Sequence, residues 1–488
     1  MADRASPIAE EQTQVGDRRC AINAQRLPPR DFVRGLGLWD ATAVVAGSMI
    51  GSGVFIVSAD IARQVQAPGW LLVVWLLTGV MTIVGALSYG ELAAMMPHAG
   101  GQYVYLREAY GPLVGFLYGW TLFLVIQTGT IAAVAVAFAK FTAVIVPALD
   151  AHFHVGGLPI SAQQILGIVV IAVLTGTNCN GLHTGRWVQN VFTVTKLGSL
   201  LVLIALGLLL ERNVTAMKLN FENFWGAPGL SLSLLPVLGA AMVGALFSSD
   251  AWNNITFAAG EVRDSARTVP MSLALGTILV ILLYLATNVV YLTTLPLHGA
   301  PTGATPSARG IEFAASDRVA TAAMEVMLGP AGALVMALGI MISTFGCENG
   351  LILSGARVYY AMARDGLFFS AAGMLNTRRV PAAALVLQGL WAAVLTLSGE
   401  YSDLLDYVIF AALLFYALTV GAIFILRRTA PNAERPYRAL GYPVVPAGYI
   451  LLATLIMLDL LVMKPRYTWP GLLLVMSGVP VFYWWRRG

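Results

Sequence analysis

Two short stretches carry most of the chemistry this chain has to offer. "AGSMIGSGVF" (46–55) crowds three glycines and two serines into a run, Ala41 to Val57, that holds no charge. "ALFSSDAWNN" (245–254) places two serines, an aspartate and two asparagines at a comparable depth of a second apolar run. Helix-averse residues at such depth free backbone N–H and C=O groups that lipid cannot satisfy, so the break must face protein or a cavity. If the first stretch unwinds near Ile50–Gly53, the helix restarting after Ser52 offers N–H donors and a positive dipole end, which suit a carboxylate. Gly51 and Gly53 leave no β-carbon in a ligand's way. The carbonyls ending the first half, from Val45 through Gly47 to Ser48, accept from an ammonium. A free amino acid carries both groups. Its side chain would point to the second stretch, with Phe247 over it and Ser248, Asp250 and Asn253 beside it. The competing reading is that small residues merely let helices pack closely.

Ionisable residues inside apolar runs need partners, because lysine at mid-membrane depth costs about 2.5–3.5 kcal/mol on insertion scales. Lys196 sits about ten residues into its run, roughly 15 Å along a helix. It is a buried cation with partners, a proton carrier or a snorkelling side chain. Lys140 lies close enough to Pro147 for its stem to reach the headgroups. Asp250 either caps the helix restarting after it or attracts a cationic side chain. Glu348, within "FGCENG", has three open roles: pairing with Lys196, binding a cationic substrate or carrying a proton. Glu91, Glu261, Arg263, Arg357 and Arg364 read as surface ion pairs worth little each, or as an inner gate. The five histidines fall in loops, "HFH" (152–154) among them. Cys20, Cys179 and Cys347 show no metal-ligand spacing and no disulfide framework.

The elements that must position these residues follow from composition. Of 488 residues, 58% are hydrophobic and 11% charged, with a mean hydropathy of +0.76. Runs of about 20 apolar residues recur, each able to cross a ~30 Å hydrocarbon core. The fold class expected is an all-α polytopic membrane protein, since the alternating strands of a barrel are absent. Twelve spans are predicted: 38–63, 69–95, 113–147, 160–178, 186–211, 232–259, 269–297, 330–361, 380–398, 403–427, 444–463 and 468–485. Most of the 29 basic residues then fall on one side, which makes that side and both termini cytoplasmic. Segments 1 and 6 carry the interruptions, and breaks at matching places in two halves point to an inverted repeat. The organisation is a tail (1–35), a first repeat (36–211), a second (232–427) and two further helices (444–488). The connections 211–231 and 298–329 hold at most a short surface helix. No P-loop, H-E-x-x-H or nucleophile elbow occurs, which argues against an enzyme or an ATP-driven pump. No cofactor, metal or nucleic-acid partner is implied; membrane lipid is.

"GSMIGSGVF" resembles the first-helix signature of the amino acid–polyamine–organocation superfamily. "SYGELAAMMPHAGGQYVYLREAYG" (88–111) resembles its second helix and first cytoplasmic loop. "NCNGLHTGRWVQNVFTVTKLGSL" (178–200), "DAWNNITFAAGEVRDSARTVP" (250–270) and "STFGCENGLILSGARVYYAMARDG" (343–366) are similar to helices 5, 6 and 8 of its L-type amino acid transporter branch. The resemblance implies a LeuT-type fold of five plus five helices with helices 1 and 6 broken. It also implies alternating-access transport of L-amino acids, often by exchange. In sodium-coupled members of this fold a cation bridges helices 1 and 8. The resemblance places the Lys196 ammonium there, on carbonyls near Gly47 and on helix 8 through Ser343 or Thr344, which implies sodium independence. The external loop 147–159 lacks the cysteine that ties eukaryotic light chains to a heavy subunit, so a stand-alone protein of a bacterial inner membrane is expected. Glu348 replaces a residue usually small or apolar. The leading expectation is sodium-independent exchange of neutral L-amino acids. Proton symport and cationic amino acid or polyamine transport are the alternatives, and a nutrient sensor or channel is the rival outside transport.

Overall fold

The structure, a computed structural model, describes residues 35–97, 100–155, 158–180, 185–210, 213–226, 231, 233–397 and 401–486. The predicted tail up to residue 34, with Cys20, and also His98 and His183, lie outside the described residues. The first predicted span is cut into α1 (Leu38–Met49), α2 (Gly53–Ile56) and α3 (Ser58–Val65). Next come α4 (Pro68–Met95), α5 (Gln102–Tyr110) and α6 (Pro112–Ile145), the last passing through a π segment at Leu122–Ile126. An antiparallel hairpin, β1 (His152–Val155) and β2 (Leu158–Ser161), leads into α7 (Ala162–Cys179). Ser161 and Gln164 form a capping box that starts α7. Then follow α8 (Gly185–Leu209), α9 (Val214–Glu222), α10 (Leu234–Ser248) and α11 (Asn254–Phe257). After these come α12 (Ser265–Thr294), a single turn at Pro306–Arg309, α13 (Val319–Arg364), α14 (Ala382–Thr396), α15 (Tyr401–Thr429), α16 (Val444–Met463) and α17 (Pro465–Trp485).

Eight of these helices are long and apolar enough to cross a membrane, and α10 and α14 are shorter apolar helices. Where α13 begins well before the predicted 330, Gly329 at φ 70 precedes Pro330 and divides the helix there. Neither α5 nor the hairpin was anticipated, because both lie in connections whose polarity reads as loop.

Packing sorts the helices into an inner and an outer set. The most apolar window of α6 is 89% buried, against 33% for that of α16. α12 runs along α4 and α1, while α13 runs along α6 and α8. On α16 the side chains of Leu451, Leu455, Leu458 and Val462 form a stripe that is more than half exposed. That spacing keeps them on one helix face, turned away from the bundle. An apolar exterior wrapped around a core that holds buried Lys196, Glu348 and Asp250 is the surface of a polytopic helical membrane protein.

Candidate functional site

The two serine- and glycine-bearing stretches are both broken helices, and they meet. α1 ends at Met49; Ile50 is extended (φ -75, ψ 93), and a bend at Gly51 and Ser52 precedes α2. α10 ends at Ser248, and the chain stays irregular to Asn253, with Ala251 at φ 63. A β-carbon on Gly53 would lie 2.1 Å from Ser248 Oγ and 2.8 Å from Ser248 Cα. Glycine at 53 is therefore required by the approach of the other broken helix, where the sequence had suggested room for a ligand. Gly51 faces Cys347 Sγ at 3.2 Å by the same measure.

Backbone groups released by the first break are taken up from three directions. Lys196 Nζ on α8, fully buried, donates to Gly47 O at 2.6 Å. From α13, Cys347 Sγ lies 3.3 Å from Ser48 O and Ser343 Oγ donates to Gly51 O at 3.4 Å. From α12, Tyr284 OH stands 3.0 Å from both Met49 O and Ser248 O, so one phenol ties together the ends of α1 and α10. One helical turn or two further on, Asn288 accepts from Ser58 Oγ (2.6 Å) and Tyr291 OH donates to Val54 O (3.1 Å). Each carbonyl retains a second lone pair.

The second break is held differently. Tyr416 OH on α15 donates to Asp250 Oδ1. Asn253, which precedes α11, makes no side-chain cap; its Nδ2 donates to Gln102 Oε1 (3.0 Å), and Gln102 Nε2 donates to Thr419 (3.0 Å). Asp250 is thus joined to Tyr416, and the cap reading of this carboxylate gives way to a tie between α10 and α15.

A cavity lies between the breaks, walled by Ser48, Gly51, Ser52, Gly53, Phe247, Ser248 and Asp250 together with Thr130, Val134 and Cys347. Its volume is about 20 Å³, room for about one water, so an amino acid enters only when the walls part. Asn253 lines an adjoining cavity. Val45 is turned to α12, where Gly276 leaves room for its side chain: a β-carbon on Gly276 would lie 2.6 Å from Val45 Cγ1. Val45, Gly47, Ile50, Lys196, Ser343, Thr344 and Glu348 stand outside the wall of the cavity between the breaks.

Lys196 meets the Gly47 carbonyl as the resemblance implied, but two of the options left open for the buried charges are not realised. Thr344 does not reach Lys196; its hydroxyl donates back to Ile340 O (2.9 Å), the way a helical threonine in an apolar setting satisfies itself. Ser343 serves Gly51, so the partner of Lys196 among the described residues is Gly47. Glu348 does not pair with Lys196. It follows Cys347 by one residue and so points about 100° away around α13. It is fully buried, and neither carboxylate oxygen has a hydrogen-bond partner among the described residues.

The ends of the site are closed by ion pairs. Arg63 on α3 donates to Asp317 (2.7 Å) and to Glu312 O (2.7 Å). At the other end Arg357 meets Glu261 at 2.8 Å, and Leu36 pairs with Val262. Arg107 on α5 reaches Asp365; burial opposes its charge, but that carboxylate outweighs the cost and raises its pKa. Glu91, read from sequence as a surface pair, is 1% exposed and is gripped by Arg427. Sequence reasoning passed over Tyr284, Tyr416, Cys347, Thr130 and Gln102. A signal did exist for the first: Tyr284, Asn288 and Tyr291 form a polar stripe at helical spacing within an otherwise apolar span.

Unwound backbone meeting at a buried polar cavity inside a membrane bundle is a feature of secondary transporters. The family described as Amino acid permease matches residues 36–482, and the chain belongs to it. It is 29% identical over 469 residues to the b(0,+)-type amino acid transporter 1 of Homo sapiens, covering 95% of this chain and 90% of that protein. It is 30% identical over 454 residues to the protein of that name from Rattus norvegicus, covering 92% and 87%. Large neutral amino acids transporter small subunit 2 of Mus musculus is 30% identical over 454 residues, covering 92% and 80%.

Proposed function

We propose that this protein exchanges neutral L-amino acids across the membrane by alternating access, without sodium. The chain does so as twelve spans in a five-plus-five inverted arrangement with two further helices. Both termini are cytoplasmic, in the inner membrane of a bacterium, with no disulfide-linked heavy subunit. The observation that carries the reading is the broken first helix. Its restart at Gly53 lines the cavity, and the Lys196 ammonium sits on Gly47 O beside it. The N–H groups opening α2 suit a carboxylate, and the remaining lone pair on the Ser48 carbonyl at the cavity wall suits an ammonium. A fixed ammonium held from α8 against α1 supplies the positive charge that a coupling cation would otherwise bring. The relatives named above are amino acid transporters by their printed names, which supports the class of substrate.

The test is counterflow in proteoliposomes. Unlabelled internal amino acid accelerates uptake of labelled amino acid in sodium-free buffer; uptake that requires an imposed sodium gradient overturns the proposal. Net uptake into empty vesicles driven by a pH gradient would replace exchange with proton symport.

A further inference from the structure

The cavity between the breaks shares Thr130, Asp250, Ala251 and Leu351 with a second cavity, bounded by α5, α6, α11 and α15. Beyond these shared residues the first is walled by the glycines and serines of the two breaks with Phe247, Val134 and Cys347, whereas the second presents longer polar side chains: Gln102, Gln127, Asn253, Asn254 and Tyr416. Most of these are spent on one another. Asn253 donates to Gln102, Gln102 to Thr419, and Tyr416 to Asp250. Gln127 Nε2 donates to Leu351 O at 2.7 Å.

One group is left over. The side-chain amide of Asn254 is 3% exposed, and its Nδ2 donates to nothing among the described residues. A buried donor without an acceptor is expensive unless a ligand supplies one.

We infer that this second cavity receives the substrate's side chain and that the side chain ends in a carboxamide, as in glutamine or asparagine. The inference rests on the amino acid exchange proposed above and narrows its substrate. A carboxamide carries a carbonyl for Asn254 Nδ2 and an NH2 for Gln127 Oε1 or the free lone pairs of Asp250. An aliphatic side chain leaves the Asn254 donor unsatisfied, and a site built to hydrogen-bond its ligand discriminates strongly against an analogue that cannot. A side-chain carboxylate would stand against Asp250 with no cation in either cavity wall to offset it. A cationic side chain suits Asp250 but leaves the Asn254 donor stranded. The walls must part to admit any of them, since the second cavity also measures about 20 Å³.

The test is competition against counterflow of labelled L-alanine into proteoliposomes that hold the full chain. L-glutamine should half-inhibit at a concentration at least tenfold below that needed of L-leucine or L-lysine. Asn254→Leu removes the amide, and Asn254→Asp keeps its size while removing the donor. Each should cut the glutamine-over-leucine preference at least fivefold, and either one suffices if the other does not fold. Leucine or lysine competing as well as glutamine overturns the inference while leaving exchange intact, as does a preference unchanged in both variants. Absence of counterflow by any amino acid overturns the exchange reading and this one with it, and shows before any competitor is added.

Discussion

Ser248 Oγ occupies the place of a β-carbon on Gly53: an added methyl would lie 2.1 Å from that oxygen, 2.7 Å from Ser248 Cβ and 2.8 Å from Ser248 Cα. The two broken helices therefore touch through a residue with no side chain, and a rotamer change at Ser248 cannot make room because its backbone is in the way. Gly53→Ala should cost about 1–3 kcal/mol of stability, as overpacking does, and slow exchange at least tenfold. Adding Ser248→Gly should recover only part of both. Melting curves and counterflow on the single and double variants check this; a Gly53→Ala protein that exchanges at the parent rate would refute it.

Lys196 separates function from stability. Its ammonium is fully buried, with Gly47 O as its hydrogen-bond partner. Lys196→Met leaves that carbonyl short of a donor, about 1–3 kcal/mol, but also removes a buried charge whose desolvation costs several kcal/mol. The second effect is the larger. The variant should melt at or above the parent temperature while exchange falls at least tenfold. Loss of both together would make the lysine a structural prop.

The breaks and this lysine were legible because each breaks a rule of apolar helices: glycine and serine cluster where leucine is expected, and a charge sits too deep to snorkel. Apart from the carbonyl near Gly47 that the resemblance offered to Lys196, what the sequence could not supply was the identity of the partners. Nothing in the neighbourhood of Tyr284 or Tyr416 announces that one ties Met49 to Ser248 and the other reaches Asp250. Those contacts join residues far apart in the chain and depend on how the helices are arranged. Hydropathy locates spans without pairing them. The same gap explains Thr344, whose hydroxyl had a nearer acceptor on its own helix.

Glu348 tests the value of an unpartnered carboxyl in the core. Neither oxygen is hydrogen-bonded among the described residues, and the residue is fully buried. Methionine has nearly the same length and no polar group to desolvate, and such replacements of buried polar groups are neutral to stabilising. Glu348→Met should raise the thermal midpoint, by about 1–3 kcal/mol in stability. Intrinsic tryptophan fluorescence during a melt reads this directly; a clear fall would mean that the carboxyl has partners it loses.

Glu91 makes the opposite case, a buried carboxylate with both oxygens hydrogen-bonded. Arg427 donates to it through Nε (2.9 Å) and Nη2 (2.7 Å), the backbone N–H of Ala439 donates at 2.7 Å, and Arg435 Nε stands 3.4 Å away. The Arg427 guanidinium also lies 3.7 Å from the centre of the Tyr442 ring. These contacts clasp the 430–443 connection onto the end of α4. Glu91→Ala leaves an arginine and a backbone donor without their acceptor and should cost about 3–5 kcal/mol, the usual penalty for breaking a buried pair from one side. Glu91→Gln, which keeps one acceptor oxygen, should cost less. Removing both partners in Glu91→Ala with Arg427→Met should cost less than the sum of the single changes, because the second substitution takes away the charge the first had stranded. A double-mutant cycle on melting free energies checks this, and additive losses would show that the pair contributes nothing beyond its separate packing.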